Sequence, residues 1–288
     1  VNRAHRRPLP ELGRTLGKAQ GAIPALLVLG VFFFFPFLEV IRFSTWRWSG
    51  LSQPTPVGLA NYRELFADPV FFQSVKATLI FAALTLPAFL ILSLLVALAL
   101  EGQRYERVVK GILFLPGLVT VGAASTSWYT LFAPEYGALA SFLPIPAWDQ
   151  APFWAMIMVV AFTLWRYLGY GVLVVSAHLK SIPRAVLEAA MVDGASGLEV
   201  TRYVVLPLLR PAVLFLTVVG TVLALQSYVA VFLLTRGGPY GATRVLGYLI
   251  YELGFENFRL GYAAAVTVVM LALTVAVAWA QGRLLEER

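Results

Sequence analysis

The sequence predicts an all-α membrane protein of six transmembrane helices, and three observations predict it. Of the 288 residues 59% are apolar and 13% charged, where a soluble domain has roughly half and a quarter. Six apolar runs, at 22–41, 77–100, 111–132, 153–177, 211–234 and 261–280, are each long enough to cross about 30 Å of hydrocarbon at about 1.5 Å per residue. The connections between them carry lysine and arginine unequally, which is the bias that sets membrane orientation.

The first run follows a basic segment, 1–21, with Arg3, Arg6, Arg7, Arg14 and Lys18. It is too long for a signal-peptide core and lacks a small-residue cleavage site, so it reads as an uncleaved anchor. With the N-terminus inside, the inner segments hold fourteen basic residues: those five, Arg104, Arg107, Lys110, Lys180, Arg184, Arg202, Arg210, Arg283 and Arg288. The outer loops hold seven, four in 42–76 and three in 235–260, and 133–152 has none. Both termini are therefore expected in the cytoplasm, with a permease domain over 22–284 and a tail at 285–288. The outer loops are short and rich in turn residues, such as Pro54, Pro56 and Gly58, then Pro134, Pro144, Pro146 and Pro152, and leave no room for an outer domain.

Composition also excludes chemistry. With no cysteine and only His5 and His178, thiolate, iron–sulfur and histidine metal centres are out of reach. The net charge of +7 is explained by topology, so nucleic acid is not an expected partner. Gly13 to Ala19 superficially looks like a phosphate loop, but its glycine spacing is one short and it lacks the magnesium-binding hydroxyl.

One inner loop differs from the rest. Residues 181–207 place Pro183 where a first helical residue needs no amide and Gly194 where a helix ends left-handed, bounding a helix of about 11 residues, near 16 Å. Ser196 and Glu199 stand at capping-box spacing and start a second helix that Pro207 and Pro211 interrupt or kink. By itself a short helix with Val186, Ala189, Ala190 and Val192 reads as interfacial or as docked on a partner.

The residues Glu188-Ala189-Ala190, Asp193-Gly194-Ala195 and Leu206-Pro207 resemble the cytoplasmic EAA loop of ABC-importer permeases, which forms their coupling helix. The resemblance extends over about 22–280. Gly58-Leu59-Ala60-Asn61-Tyr62, Asp68-Pro69, Thr78, Phe114-Leu115-Pro116, Leu234-Thr235, Gly237-Gly238-Pro239, Tyr251, Phe255 and Gly261-Tyr262-Ala263-Ala264-Ala265 are similar to carbohydrate-uptake permeases of maltose, lactose and glycerol-3-phosphate type. The Gly-Gly-Pro segment resembles the first-type subunit. The resemblance implies a type I ABC importer permease fold in a bacterial or archaeal cytoplasmic membrane, importing a sugar or polyol by alternating access. It implies a second permease subunit, two copies of a cytoplasmic ATPase and an extracytoplasmic solute-binding protein as partners, alongside lipid. Mg-ATP would sit on the ATPase and this chain would hold no cofactor. Glu188 would pair with a basic residue of that ATPase, while Ala189 and Ala190 let the helix sit close in a cleft.

Substrate-pathway candidates come from the spans. Arg166 falls inside span four, where a charge costs at least about 2.5 kcal/mol; it reads either as a brace on unwound carbonyls or a neighbouring subunit, or as a fork for substrate oxygens. Thr217, Gly220, Thr221, Ala224, Ser227 and Tyr228 recur at helical spacing in span five. That stripe is either a packing seam or a water-lined wall of about 15 Å, and the resemblance favours the wall. It also places Tyr170 among the pathway residues. Ser125 to Tyr129, near the outer end of span three, read as an interfacial aromatic belt. An ion-coupled secondary transporter is the rival function, but spans two to six have no interior Asp or Glu to bind a coupling ion.

Overall fold

The computed structural model describes residues 23–139, 142 and 147–286. The expected tail 1–21 lies outside them, as do Pro144, Pro146 and Arg288. In chain order the helices are α1 (Ile23–Phe43), α2 (Ala60–Ala67), α3 (Pro69–Leu100), α4 (Glu106–Leu118), α5 (Val121–Phe132), α6 (Pro152–Ser181) and α7 (Arg184–Val192). They continue as α8 (Gly197–Leu208), α9 (Arg210–Leu225), α10 (Val229–Leu234), α11 (Leu246–Tyr251) and α12 (Leu260–Glu286). A single antiparallel hairpin, β1 (Trp46–Arg47) and β2 (Thr55–Pro56), stands between α1 and α2.

Four helices, α1, α3, α6 and α12, are each long and apolar enough to cross a membrane, and the bent pairs α4–α5 and α8–α9 bring the crossings to six. The six-span expectation holds, with two spans bent. α12 runs through Glu286, so the expected tail at 285–288 begins inside a helix.

The third span is the first correction. Expected as one run over 111–132, it is two helices at 102°. Pro116 supplies no amide, and Val119 and Thr120 are extended (ψ 143° and 142°), so the last carbonyls of α4 lose their intrahelical donors. Ser125 to Tyr129 then turn partly inward on α5. Ser125 is buried, Trp128 Nε1 donates to Met158 Sδ at 3.1 Å, and the Tyr129 ring meets Trp148 edge-on.

The fifth span is the second. Expected as continuous over 211–234, it stops at Leu225 and restarts at Val229, while the 59° bend at Leu209 falls at the kink expected from Pro207 and Pro211. Pro207 has no amide for the Tyr203 carbonyl, and α8 widens by one residue over Thr201–Val205. Beyond Leu225, Gly247 allows α11 to come within 3.2 Å of the Ser227 carbonyl at its Cβ position.

Several residues that carried the family resemblance are knots of the fold between α1, α2, α3, α11 and α12. Buried Asn61 donates to the carbonyls of Ser44 and Trp46 at 2.8 and 2.9 Å, and the Tyr62 hydroxyl donates to Ser44 Oγ. Asp68 caps α3 through the Val70 amide and accepts from the Tyr262 hydroxyl with its other oxygen. Thr78 Oγ1 accepts the Leu246 amide at 2.8 Å. Gly261 has no room for a side chain, because a Cβ would stand 1.9 Å from the Trp46 carbonyl.

Below this layer α3 and α6 cross at Gly171, where a Cβ would meet Ser93 Oγ at 2.1 Å. The inner third of the core follows, with Phe89, Ala97, Val172, Val175, Val205, Leu209 and Leu216 packed together. That cluster is the platform on which α7 sits.

Candidate functional site

α7 is built from local rules. Pro183 precedes it as N-cap, one residue earlier than expected, and the helix is 9 residues long. At its end the Ala195 amide donates to Ala190 O and the Gly194 amide to Met191 O, at 3.0 and 3.1 Å. This is the Schellman arrangement, with Gly194 left-handed at φ +87°. The Ser196 and Glu199 capping box starts α8, and the Ser196 hydroxyl and amide hold the Glu199 carboxyl below its usual range.

The two ends fix which face of α7 looks out. Leu187, Ala190 and Ala195 pack on the inner core cluster. Ala190 is half-buried and turned toward the bundle, whereas Ala189 is exposed. Glu188, Ala189 and Asp193 are exposed, and so are Val186, Met191 and Val192, the last at 86%. Exposed apolar side chains beside acids, on a helix tied down at both ends, leave a surface open to contact.

The expected pathway residues separate into groups. Gly220 and Ala224 line a narrow cavity with Thr85, Leu86 and Phe89 of α3 and Thr163 and Tyr167 of α6. Its room is about 20 Å³, enough for one water molecule and not for a sugar. Thr217 and Thr221 donate to carbonyls of their own helix, Val213 O and Thr217 O, and Thr221 also accepts from Gln281 of α12. Ser227 and Tyr228 lie beyond the end of α9, and the Tyr228 ring stacks on Tyr251. The continuous 15 Å stripe that periodicity suggested is interrupted by the break after Leu225. Tyr170 packs against the inner core cluster, and the α6 aromatic on the cavity wall is Tyr167, one helical turn away.

Comparison with known proteins agrees with this architecture. Residues 68–286 match the family described as binding-protein-dependent transport system inner membrane component. The chain is 35% identical over 282 residues to the sn-glycerol-3-phosphate transport system permease protein of Agrobacterium fabrum, covering 92% of this chain and 93% of that one. The chain belongs to the binding-protein-dependent permease family. A probable ABC transporter permease of Pyrococcus horikoshii is 32% identical, with 88% of this chain and 90% of that one covered. The fold is also that of a bacterial ABC transporter involved in the import of alginate, with a TM-score of 0.82, 21% identity, and 96% of this chain and 97% of that one covered. The permease is a multi-pass transport component of the inner membrane and not an enzyme.

Within the permease, Arg166 has a defined task in this conformation. Its Nη1 donates to Pro116 O at 2.9 Å and Val119 O at 2.7 Å, the carbonyls released by the α4–α5 break. Of its two expected readings this geometry fits the brace. Sequence reasoning missed Tyr167 and Thr85 as cavity residues, because three-residue spacing on one helix does not say which neighbour it meets. It also missed Gly169 and Gly171, which flank Tyr170 and let α4 and α3 approach α6 from two sides.

Proposed function

We propose that this permease is the membrane-spanning subunit of an ATP-driven importer for a sugar or a polyol phosphate. The observation that carries the mechanism is the outward face of α7. It is capped at its end and carries exposed apolar and acidic side chains together that, among the described residues, nothing in its own bundle covers. An ATPase docked there moves α7 when its nucleotide sites close, and Glu188 pairs with a cation of that ATPase while Val186, Ala189 and Val192 supply contact. Asp193 and Gly194 set the turn at the edge of the contact. The chain holds no cofactor of its own, and Mg-ATP belongs to the ATPase. The importer comprises this chain, a second permease, two ATPase copies and an extracytoplasmic solute-binding protein. The substrate class is supported by the relatives named for sn-glycerol-3-phosphate.

The narrow cavity at Gly220 and Ala224 corresponds to a closed state, and alternating access requires α9 to separate from α3 there. In that open state Thr85, Thr163 and Tyr167, which line the cavity, are the polar groups nearest the path, with Thr217 one turn from Gly220 on α9. Uptake into proteoliposomes carrying the complete complex decides the energy source. Uptake is expected with ATP and binding protein and no ion gradient; uptake driven by a proton or sodium gradient without ATP would establish the secondary transporter instead.

The basic-residue distribution supports a cytoplasmic position for both termini. The chain has no cysteine, so single cysteines report cleanly. Gln53→Cys and Tyr240→Cys, both at exposed positions, are expected to react with an impermeant thiol reagent in intact cells, and Gln103→Cys to react only after lysis. Labelling of position 103 from outside would reverse the orientation.

A further inference from the structure

The inner ends of α4 and α6 are joined by a charge cluster next to α7. Glu106, the first residue of α4, accepts through one oxygen from two lysines, Lys110 a turn further on and Lys180 at the end of α6, each at 2.7 Å. Its other oxygen accepts the Gly102 amide at 3.3 Å, and Glu101 stands 4.0 Å from Lys110. The Lys110 side chain is 8% exposed and that of Glu106 15%. The Lys180 side chain is 60% exposed, so the link between the two helices draws on the nearly buried Glu106–Lys110 pair at its root: removing Glu106 strands the Lys110 charge as well as releasing Lys180.

The same two helices touch at two more levels. A Cβ on Gly169 would lie 2.2 Å from the Leu113 carbonyl, so the backbones are in contact there. Higher still, Arg166 holds Pro116 O and Val119 O. α4 is thus pinned to α6 at its base, its middle and its end at the 102° break. Only Ser181, Ile182 and Pro183 separate Lys180 from α7, and the Ile182 amide is tied back to Leu179 O at 3.2 Å. The link from α7 to the base of α6 is short and stiff.

We propose that Glu106 is a positioning residue of the transport cycle. By holding Lys180 and Lys110 together it makes α4 and α6 a single strut, so that a displacement of α7 at the inner face reaches the α4–α5 break within the membrane. Without it the base of α6 moves with α7 while the base of α4 lags, less of the displacement reaches the break, and hydrolysis proceeds with fewer openings of the bundle. Glu106 itself touches neither ATPase nor substrate. The proposal rests on the reading of α7 as the ATPase contact.

The test measures ATP hydrolysed per substrate imported, in proteoliposomes with the whole complex and its binding protein. Glu106→Gln is expected to assemble normally and keep stimulated hydrolysis within about two-fold, while ATP consumed per substrate rises about five-fold or more. The exchange Glu106→Lys with Lys180→Glu rebuilds the pair in reverse, with Glu101 left for Lys110, and is expected to restore the wild-type ratio; Glu106→Lys alone is not. The strut is overturned if Glu106→Gln keeps the wild-type ratio, if it only lowers the amount of assembled complex, or if the exchange fails to rescue. Glu188→Lys measured alongside separates the two claims. Full coupling in that variant removes the α7 reading, whereas its loss together with a normal ratio in Glu106→Gln removes the strut alone.

Discussion

Glu188→Lys is expected to abolish uptake while the permease itself remains inserted. The side chain is exposed on the outward face of α7, so nothing in the bundle depends on its charge. Opposite an ATPase cation, the change turns an attraction into like-charge repulsion at a desolvated contact. Truncating such a pair already costs about 2 to 5 kcal/mol, so reversal is expected to lower uptake per inserted permease by about 30-fold or more. Gly194 gives an independent check on the same surface. Its φ of +87° forbids a β-branched residue, although a Cβ there would meet nothing within 4 Å. Gly194→Val is therefore expected to uncouple through the backbone alone, and Gly194→Asn, which tolerates the left-handed region, to retain most of the uptake. Wild-type uptake and substrate-stimulated ATP hydrolysis in Glu188→Lys would withdraw the coupling role from this residue.

Arg166→Met is expected to have the second large effect, on assembly and stability. The arginine provides two charge-assisted bonds, at 2.9 and 2.7 Å, to carbonyls that α4 cannot satisfy itself. Each is worth about 1.5 to 3 kcal/mol. Methionine keeps the length and apolar contact of the side chain and removes both. Purified complex is expected to fall several-fold and its thermal unfolding midpoint to drop, with the KM of what remains unchanged. The opposite pattern, normal assembly with a KM raised about ten-fold, would make Arg166 a substrate ligand, a difference of about 1.4 kcal/mol in binding.

The cavity carries a related lesson about reading faces. Gly220 and Ala224 were legible as one side of a helix, and they do share a cavity. Thr221 lies between them in sequence and serves a different neighbour, Gln281. Periodicity assigns residues to faces of a helix, and only packing assigns a function to each face. Tyr167 and Tyr170 differ in the same way: both are aromatic, both sit near Arg166, and the crossing with α9 selects the first.

By itself the sequence determined what depends on near neighbours. The number of crossings follows from apolar length, and the ends of α7 and the start of α8 follow from Gly194, Ser196 and Glu199, whose hydrogen bonds close within five residues. The α4–α5 bend, the stop at Leu225 and the inward turn of Ala190 were decided only by tertiary structure. Hydropathy sums apolar character along a run and is blind to a break that leaves every residue apolar. Such a break survives in a membrane only if something else satisfies the freed carbonyls. At Pro116 and Val119 that partner is Arg166, 50 and 47 residues further along the chain, and no local pattern announces a donor at that distance.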